Sequence, residues 1–204
     1  MSSTYDNNTY EDNYISVTAG NKVLFKGHNF DVTSNASCQQ YPIFYEAYSE
    51  YADRGRFNVE GNIMSLLYGD NFIGQTEINF DKQPVFGFLF VRNTGLINAE
   101  NLILPATTLP IYCYQSMFLG CTSLITAPKL LAETLSLGCY SGMFYECTSL
   151  NSITCLGINT NQDDCTTDWL YNVSDTGTFI KNASATWETG DSGIPSGWTI
   201  QNAE

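Results

Sequence analysis

A block near the middle of this chain is written twice and then echoed once more. Tyr114-Gln-Ser-Met117-Phe118-Leu-Gly-Cys121-Thr-Ser-Leu124-Ile-Thr-Ala127-Pro128 recurs 26 residues on as Tyr140-Ser-Gly-Met143-Phe144-Tyr-Glu-Cys147-Thr-Ser-Leu150-Asn-Ser-Ile153. A looser copy stands 28 residues earlier, as Phe86-Gly-Phe-Leu89-Phe90 followed by Thr94-Gly-Leu96-Ile-Asn-Ala99. A fixed period of this length predicts stacked supersecondary units in place of one globular core. Such stacks offer surfaces more often than catalytic pockets, so the pattern points toward binding or structure.

Equivalent side chains in stacked units fall above one another. Leu96, Leu124 and Leu150 are expected to form one internal column, and Phe90, Phe118 and Phe144 another. Each such residue contributes about 1.5–3 kcal/mol when buried. Within a unit, Cys/Phe-x-Tyr-x-x-Met-Phe places apolar residues at i, i+3 and i+4, which predicts one or two helical turns facing inward. Gly120 suits the end of that helix. The following Thr-Ser-Leu-x-x-Ala/Ile predicts a short strand, and Pro105 and Pro128 bend the chain soon after. The expected class is α+β, a short solenoid of about 2.5 units of 26–28 residues. So short an array needs its ends covered.

Four segments follow from this. Residues 1–14 read as an acidic flexible arm. Residues 15–83 read as a β-rich N-terminal cap or anchoring region, residues 84–156 as the repeats, and residues 157–204 as a C-terminal cap. In the N-terminal cap, the runs 14–18 and 22–26 flank Ala19-Gly20-Asn21 and predict a hairpin. Residues 56–68 predict one or two strands broken at Gly61-Asn62, with Gly69-Asp70-Asn71 as the next turn. Tyr41, Phe44, Tyr45, Tyr48 and Tyr51 form a stripe at helical spacing after Pro42. That stripe either packs on the hairpin or offers Tyr41, Tyr45 and Tyr48 as an aromatic platform for sugar rings or a partner. In the C-terminal cap, residues 165–173 predict a short helix capped by Thr166 or Thr167. Residues 177–181 and 198–200 predict strands, and Trp169, Trp187 and Trp198 serve mainly as lids over the last repeat.

Composition narrows the function. The net charge is −13, from 21 acids against 8 bases, and the bases form no run. Nucleic acid and anionic membrane surfaces are disfavoured, since both need clustered Lys and Arg. No stretch approaches the roughly 20 apolar residues of a membrane span, so membrane insertion is not expected. Only 14% of residues are charged, so the surface is made largely of Asn, Thr, Ser, Gln and Tyr. The first fourteen residues lack the basic start and apolar stretch of a signal peptide, which leads to the expectation of a chain that reaches its site by assembly or belongs to a longer exported protein.

The seven cysteines are Cys38, Cys113, Cys121, Cys139, Cys147, Cys155 and Cys165. Cys113 corresponds to Cys139 and Cys121 to Cys147 in the repeat, so these read as small buried residues at ladder positions in preference to a disulfide framework. With no CxxC pair and a single histidine, His28, neither a metal site nor any cofactor is expected. Phosphate-loop and nucleophile-elbow patterns are absent, and no catalytic residue is assigned. The exposed strand face is expected to carry Asn98, Thr126 and Ser152, the second residue after each ladder Leu. A one-residue slip would present the other face.

The units Tyr-x-x-Met-Phe-x-x-Cys-Thr-Ser-Leu-x-x-Ala-Pro resemble the BspA-like leucine-rich repeats of bacterial surface proteins. The resemblance covers about residues 84–156, and the terminal Gly193-Ile-Pro-Ser-Gly-Trp198-Thr is similar to the endings of such arrays in gut Bacteroidetes and their phages. It implies a leucine-rich-repeat fold without catalysis, engaged in adhesion, host attachment or protein binding. The array here is short for a bacterial adhesin. A component of the virion surface is therefore the first expectation: a capsid decoration, head fibre or fibre tip, partnered by a capsid or fibre neighbour or by a host-surface glycan or protein, and able to form a homo-oligomer. The alternatives are an adhesion module on the bacterial cell surface and a carbohydrate-binding module.

Overall fold

The computed structural model describes residues 20–24, 55–78, 84–158 and 164–204. The acidic arm, most of the expected hairpin, and the stripe with Tyr41, Tyr45 and Tyr48 lie outside these residues. Each repeat has two sides, one built of turns and one built of strands.

The turn side departs from expectation. Where helices were expected after residues 86, 113, 139 and 165, the backbone runs through successive turns. Alternate N–H groups close turns within the repeat: Cys113 onto Pro110, Gln115 onto Tyr112, Met117 onto Tyr114, Leu119 onto Ser116 and Cys121 onto Phe118, at 3.0–3.2 Å. The intervening N–H groups reach the next repeat instead. Tyr112 donates to Leu137, Tyr114 to Cys139, Ser116 to Ser141, Phe118 to Met143 and Gly120 to Tyr145, at 2.7–2.9 Å. Every one of these donors is satisfied, half of them locally and half by a neighbour.

Every fourth residue on this side takes a positive φ. The series is Phe88 and Arg92, then Tyr112, Ser116 and Gly120, then Gly138, Gly142 and Glu146, then Asp164, Asp168 and Asn172. Gly120 is thus the last of three left-handed positions in its unit, not the stop of a helix. The apolar residues follow the same period of four: Cys113-Tyr114, Met117-Phe118 and Cys121, all buried. Spacings of three and four fit a helix over one turn, but continuing to i+8 in adjacent pairs fits these turns better.

The strand side is parallel throughout. β1 (Phe57–Asn58) pairs with β3 (Leu96–Asn98), and β2 (Gly61–Asn62) with β4 (Leu102–Ile103). β5 (Ser152–Cys155), β6 (Gly177–Lys181) and β7 (Trp198–Asn202) form a three-stranded sheet. Single bridges from Asn98 to Thr126 and from Thr126 to Ser152 join the two groups. Gly61-Asn62, expected as a break, is itself a strand, because its register matches Leu102-Ile103. Residues 65–68 form α1 (Ser65–Tyr68), followed by a 3-10 turn at Gly69–Asn71, where a strand and a simple turn were expected.

The columns are continuous. The rings of Phe90, Phe118 and Phe144 stack at 5.2 and 5.5 Å, within 9° of parallel. A second column runs Phe86, Tyr114, Tyr140, Trp169, Trp187 at 5.2–6.2 Å. Leu96, Leu124 and Leu150 are each fully buried, and the bridges two residues beyond them set all three in one register. The register also extends past residue 156. Tyr140 donates to Cys165, Gly142 to Thr167, Phe144 to Trp169 and Glu146 to Tyr171, so residues 164–173 form another turn segment, not the expected capped helix. Trp169 fills the place under Tyr140, and its indole N–H donates to the Gly193 carbonyl at 2.8 Å.

Candidate functional site

The strand side gathers the expected face residues into one row. Asn58, Asn98, Thr126, Ser152, Thr178 and Thr199 succeed one another in register across six rungs. None of the six is charged. Asn98, Thr126, Ser152 and Thr178 are half-buried, and Asn58 and Thr199 are exposed. Backbone bonds hold the rungs: Val59 donates to Asn98, Ala99 to Thr126 and Ala127 to Ser152, at 3.0–3.2 Å. Asn98 is committed in part, since its side-chain oxygen accepts from the Glu100 N–H at 2.7 Å.

The neighbouring positions also face outward. Ile97, Ile125 and Asn151, directly after the ladder leucines, form a second row. Both rows are outside because the inward residues are Leu124 and Ala127, or Leu150 and Ile153, three apart; strict alternation is lost and two adjacent residues turn out between them. Ile97, Ile125 and Asn151 line a half-open groove of about 320 Å³ together with Ser123, Ser149 and Arg56. Sequence reasoning passed over these six. The signal for Ile97, Ile125 and Asn151 is their place directly after each ladder leucine. Arg56 precedes the repeats and carries no periodic signal.

A second concavity of about 690 Å³ lies at the C-terminal end, between residues 164–168 and 187–193. Asp164, Asp168, Glu188 and Asp191 stand around it. The Thr166 hydroxyl donates to the Ser192 carbonyl at 2.8 Å, and the Ser192 hydroxyl accepts from the Asp168 N–H at 2.9 Å. Among the described residues, no group of three His, Cys, Asp or Glu side chains is placed to hold a metal ion.

Cys113, Cys121, Cys139, Cys147, Cys155 and Cys165 are free and buried; Cys38 lies outside the described residues. The Cys121 and Cys147 thiols donate to the Phe90 and Phe118 carbonyls at 2.9 and 3.0 Å. Burial pushes the Cys139 and Cys155 thiols up to about 12 and raises Cys113 and Cys147 well above the usual thiol range. Their thiolates are disfavoured, so these sulfurs are packing groups rather than nucleophiles. The same burial raises Tyr114 and Tyr140.

No family model, curated protein or solved structure matches the chain.

Proposed function

We propose that the chain is a non-catalytic leucine-rich-repeat solenoid whose strand face recognises a partner from the outside of a phage particle, as a capsid decoration, head fibre or fibre tip. The observation that carries this reading is the uncharged row Asn58, Asn98, Thr126, Ser152, Thr178 and Thr199. Amides and hydroxyls both donate and accept hydrogen bonds. Spread along a surface, they suit recognition of an extended partner, whereas catalysis needs groups converging on one reacting atom. The placement on a virion rests on the repeat resemblance.

The C-terminal end supports assembly with a neighbour. Ile153, Phe179 and Ile200 share one register position, yet their exposures are 1%, 0% and 51%. Ile200 is thus an exposed apolar position beside a buried column, a contact point that suits a capsid or fibre neighbour or a second copy.

Cosedimentation with purified particles tests the placement, and a chain absent from particles but recovered on the bacterial cell surface would transfer the reading to a cell-surface adhesion module. Thr126→Arg tests the face. A long cation in the middle of the row is expected to abolish host attachment while leaving the fold intact, and unchanged attachment would remove the face from consideration.

A further inference from the structure

We infer that the groove beside the polar row binds a saccharide bearing one isolated carboxylate. The inference rests on the strand side being the recognition face, and it names the ligand class for that face.

Of the six residues lining the groove, only Arg56 is charged. Its side chain is exposed, and the sole ion pair among the described residues joins Lys22 to Glu60 instead. A guanidinium presents a planar fork that matches a carboxylate with two parallel hydrogen bonds. Ile97 and Ile125 form an apolar floor, with Ile125 43% exposed. A pyranose ring has an apolar C–H face to lay on such a floor. Ser123, Ser149 and Asn151 supply hydroxyls and an amide around it, the groups that pair with sugar hydroxyls. The volume of about 320 Å³ falls within the roughly 300–1,000 Å³ of small-ligand sites. The groove crosses four rungs, from Arg56 beside β1 to Asn151 beside β5, which is about 14 Å at the usual strand spacing.

Other occupants fit less well. A peptide added as a further strand needs a free backbone edge. Here the rungs of residues 97, 125 and 151 already bond to one another: Ile125 donates to Ile97 at 2.8 Å and Asn151 to Ile125 at 3.1 Å. A polyanion would meet the chain's net charge of −13, and one guanidinium cannot offset that repulsion. One carboxylate on an otherwise neutral sugar meets both conditions.

The test is titration calorimetry of the full chain with a disaccharide of one uronic acid and one neutral ring, and with its methyl ester. The ester has the same shape without the charge. The acid is expected to bind, with the ester and the Arg56→Gln variant each weakening it about tenfold or more. Ser149→Ala is expected to weaken it a few-fold. Equal affinity for acid and ester, unchanged binding by Arg56→Gln, no heat at tens of millimolar sugar, or tighter Arg56-dependent binding of an acidic tripeptide would each overturn the inference. Host attachment separates the two readings. Loss with Thr126→Arg and indifference to both Arg56→Gln and added acid keeps the face and sinks the saccharide, whereas indifference to Thr126→Arg sinks the face itself.

Discussion

The turn side and the strand side of each repeat answer to different constraints. On the turn side nearly every position is spoken for. Phe118 lies between two parallel rings, Met117 and Tyr114 are fully enclosed, and alternate N–H groups are bonded to the next repeat. This side also holds eight non-glycine residues at positive φ: Phe88, Arg92, Tyr112, Ser116, Glu146, Asp164, Asp168 and Asn172. Each costs on the order of 1–2 kcal/mol for an L-residue. Stacking and inter-repeat hydrogen bonds must outweigh that strain, so the turn side is where stability is made and where change is punished. On the strand side, Asn98, Thr126 and Ser152 touch solvent and contribute their backbones more than their side chains. That side is free to vary, which is what a recognition surface needs.

The largest test of this contrast is Phe118→Asp. It removes a fully buried ring and places an unpaired carboxylate between two others, with an expected loss of more than about 4 kcal/mol. A cooperative thermal transition near that of the parent would break the contrast at once.

Alkaline pH is the next lever. The Cys139 and Cys155 thiols have folded values of about 12 against an ordinary 9.0, and Tyr114 and Tyr140 are raised above 10.0. A raised folded pKa means the native state holds its proton longer than the unfolded chain. The associated stability is complete below the unfolded values and is lost as pH climbs from about 9 toward 12. Thermal melts are expected to be flat below this window and to fall steadily through it, with thiol reagents reacting only as unfolding sets in. Fast labelling of the folded chain at pH 8 would show that the sulfurs are not enclosed.

Gly138→Ala refines the comparison within the turn side. Gly138 sits at φ +58, and a Cβ there would approach the Tyr112 ring to 2.3 Å. Tyr112 is itself 38% exposed and can swing aside in part. The expected cost is about 1–3 kcal/mol. In the double variant Tyr112→Ala/Gly138→Ala the steric part vanishes and about 1 kcal/mol of backbone strain remains. An additive cycle would show that the two residues do not meet.

The smallest effect belongs to the strand side. Ser152→Ala is expected to shift stability by no more than about 0.5 kcal/mol, read as the midpoint of a denaturant titration. A loss comparable with that of Gly138→Ala would mean that the row is structural and would undo the division between the sides.

Much of this was legible in the residues, though unevenly. Met117-Phe118 and Met143-Phe144 announce their columns because an identical side chain at a fixed step has one simple explanation. Asn98, Thr126 and Ser152 were found by counting from the leucines, and they do share a row. Ile97, Ile125 and Asn151 were passed over because strict alternation was assumed, and two adjacent outward residues break it. The segment 165–173 reads in sequence as a capped helix and not as a further unit because Tyr-x-x-Met-Phe became Thr166-x-x-Trp169-Leu170; the size and order of the rings changed while the backbone register did not.

Sequence alone determined the step of the array and which side chains lie in its interior, because burial rewards an apolar residue at every repeat and leaves a periodic record. It also established an acidic balance with few charged residues, a net −13 with 14% charged. Tertiary structure decided the rest. Whether Cys113–Cys121 coils as a helix or runs as turns depends on where alternate N–H groups find acceptors, and those acceptors belong to the next repeat, 25 residues away. Arg56 meets Ile97, Ile125 and Asn151 only once four rungs are laid side by side. Hydrogen bonds and grooves formed between distant segments leave no period in the chain, so only the folded molecule reveals them.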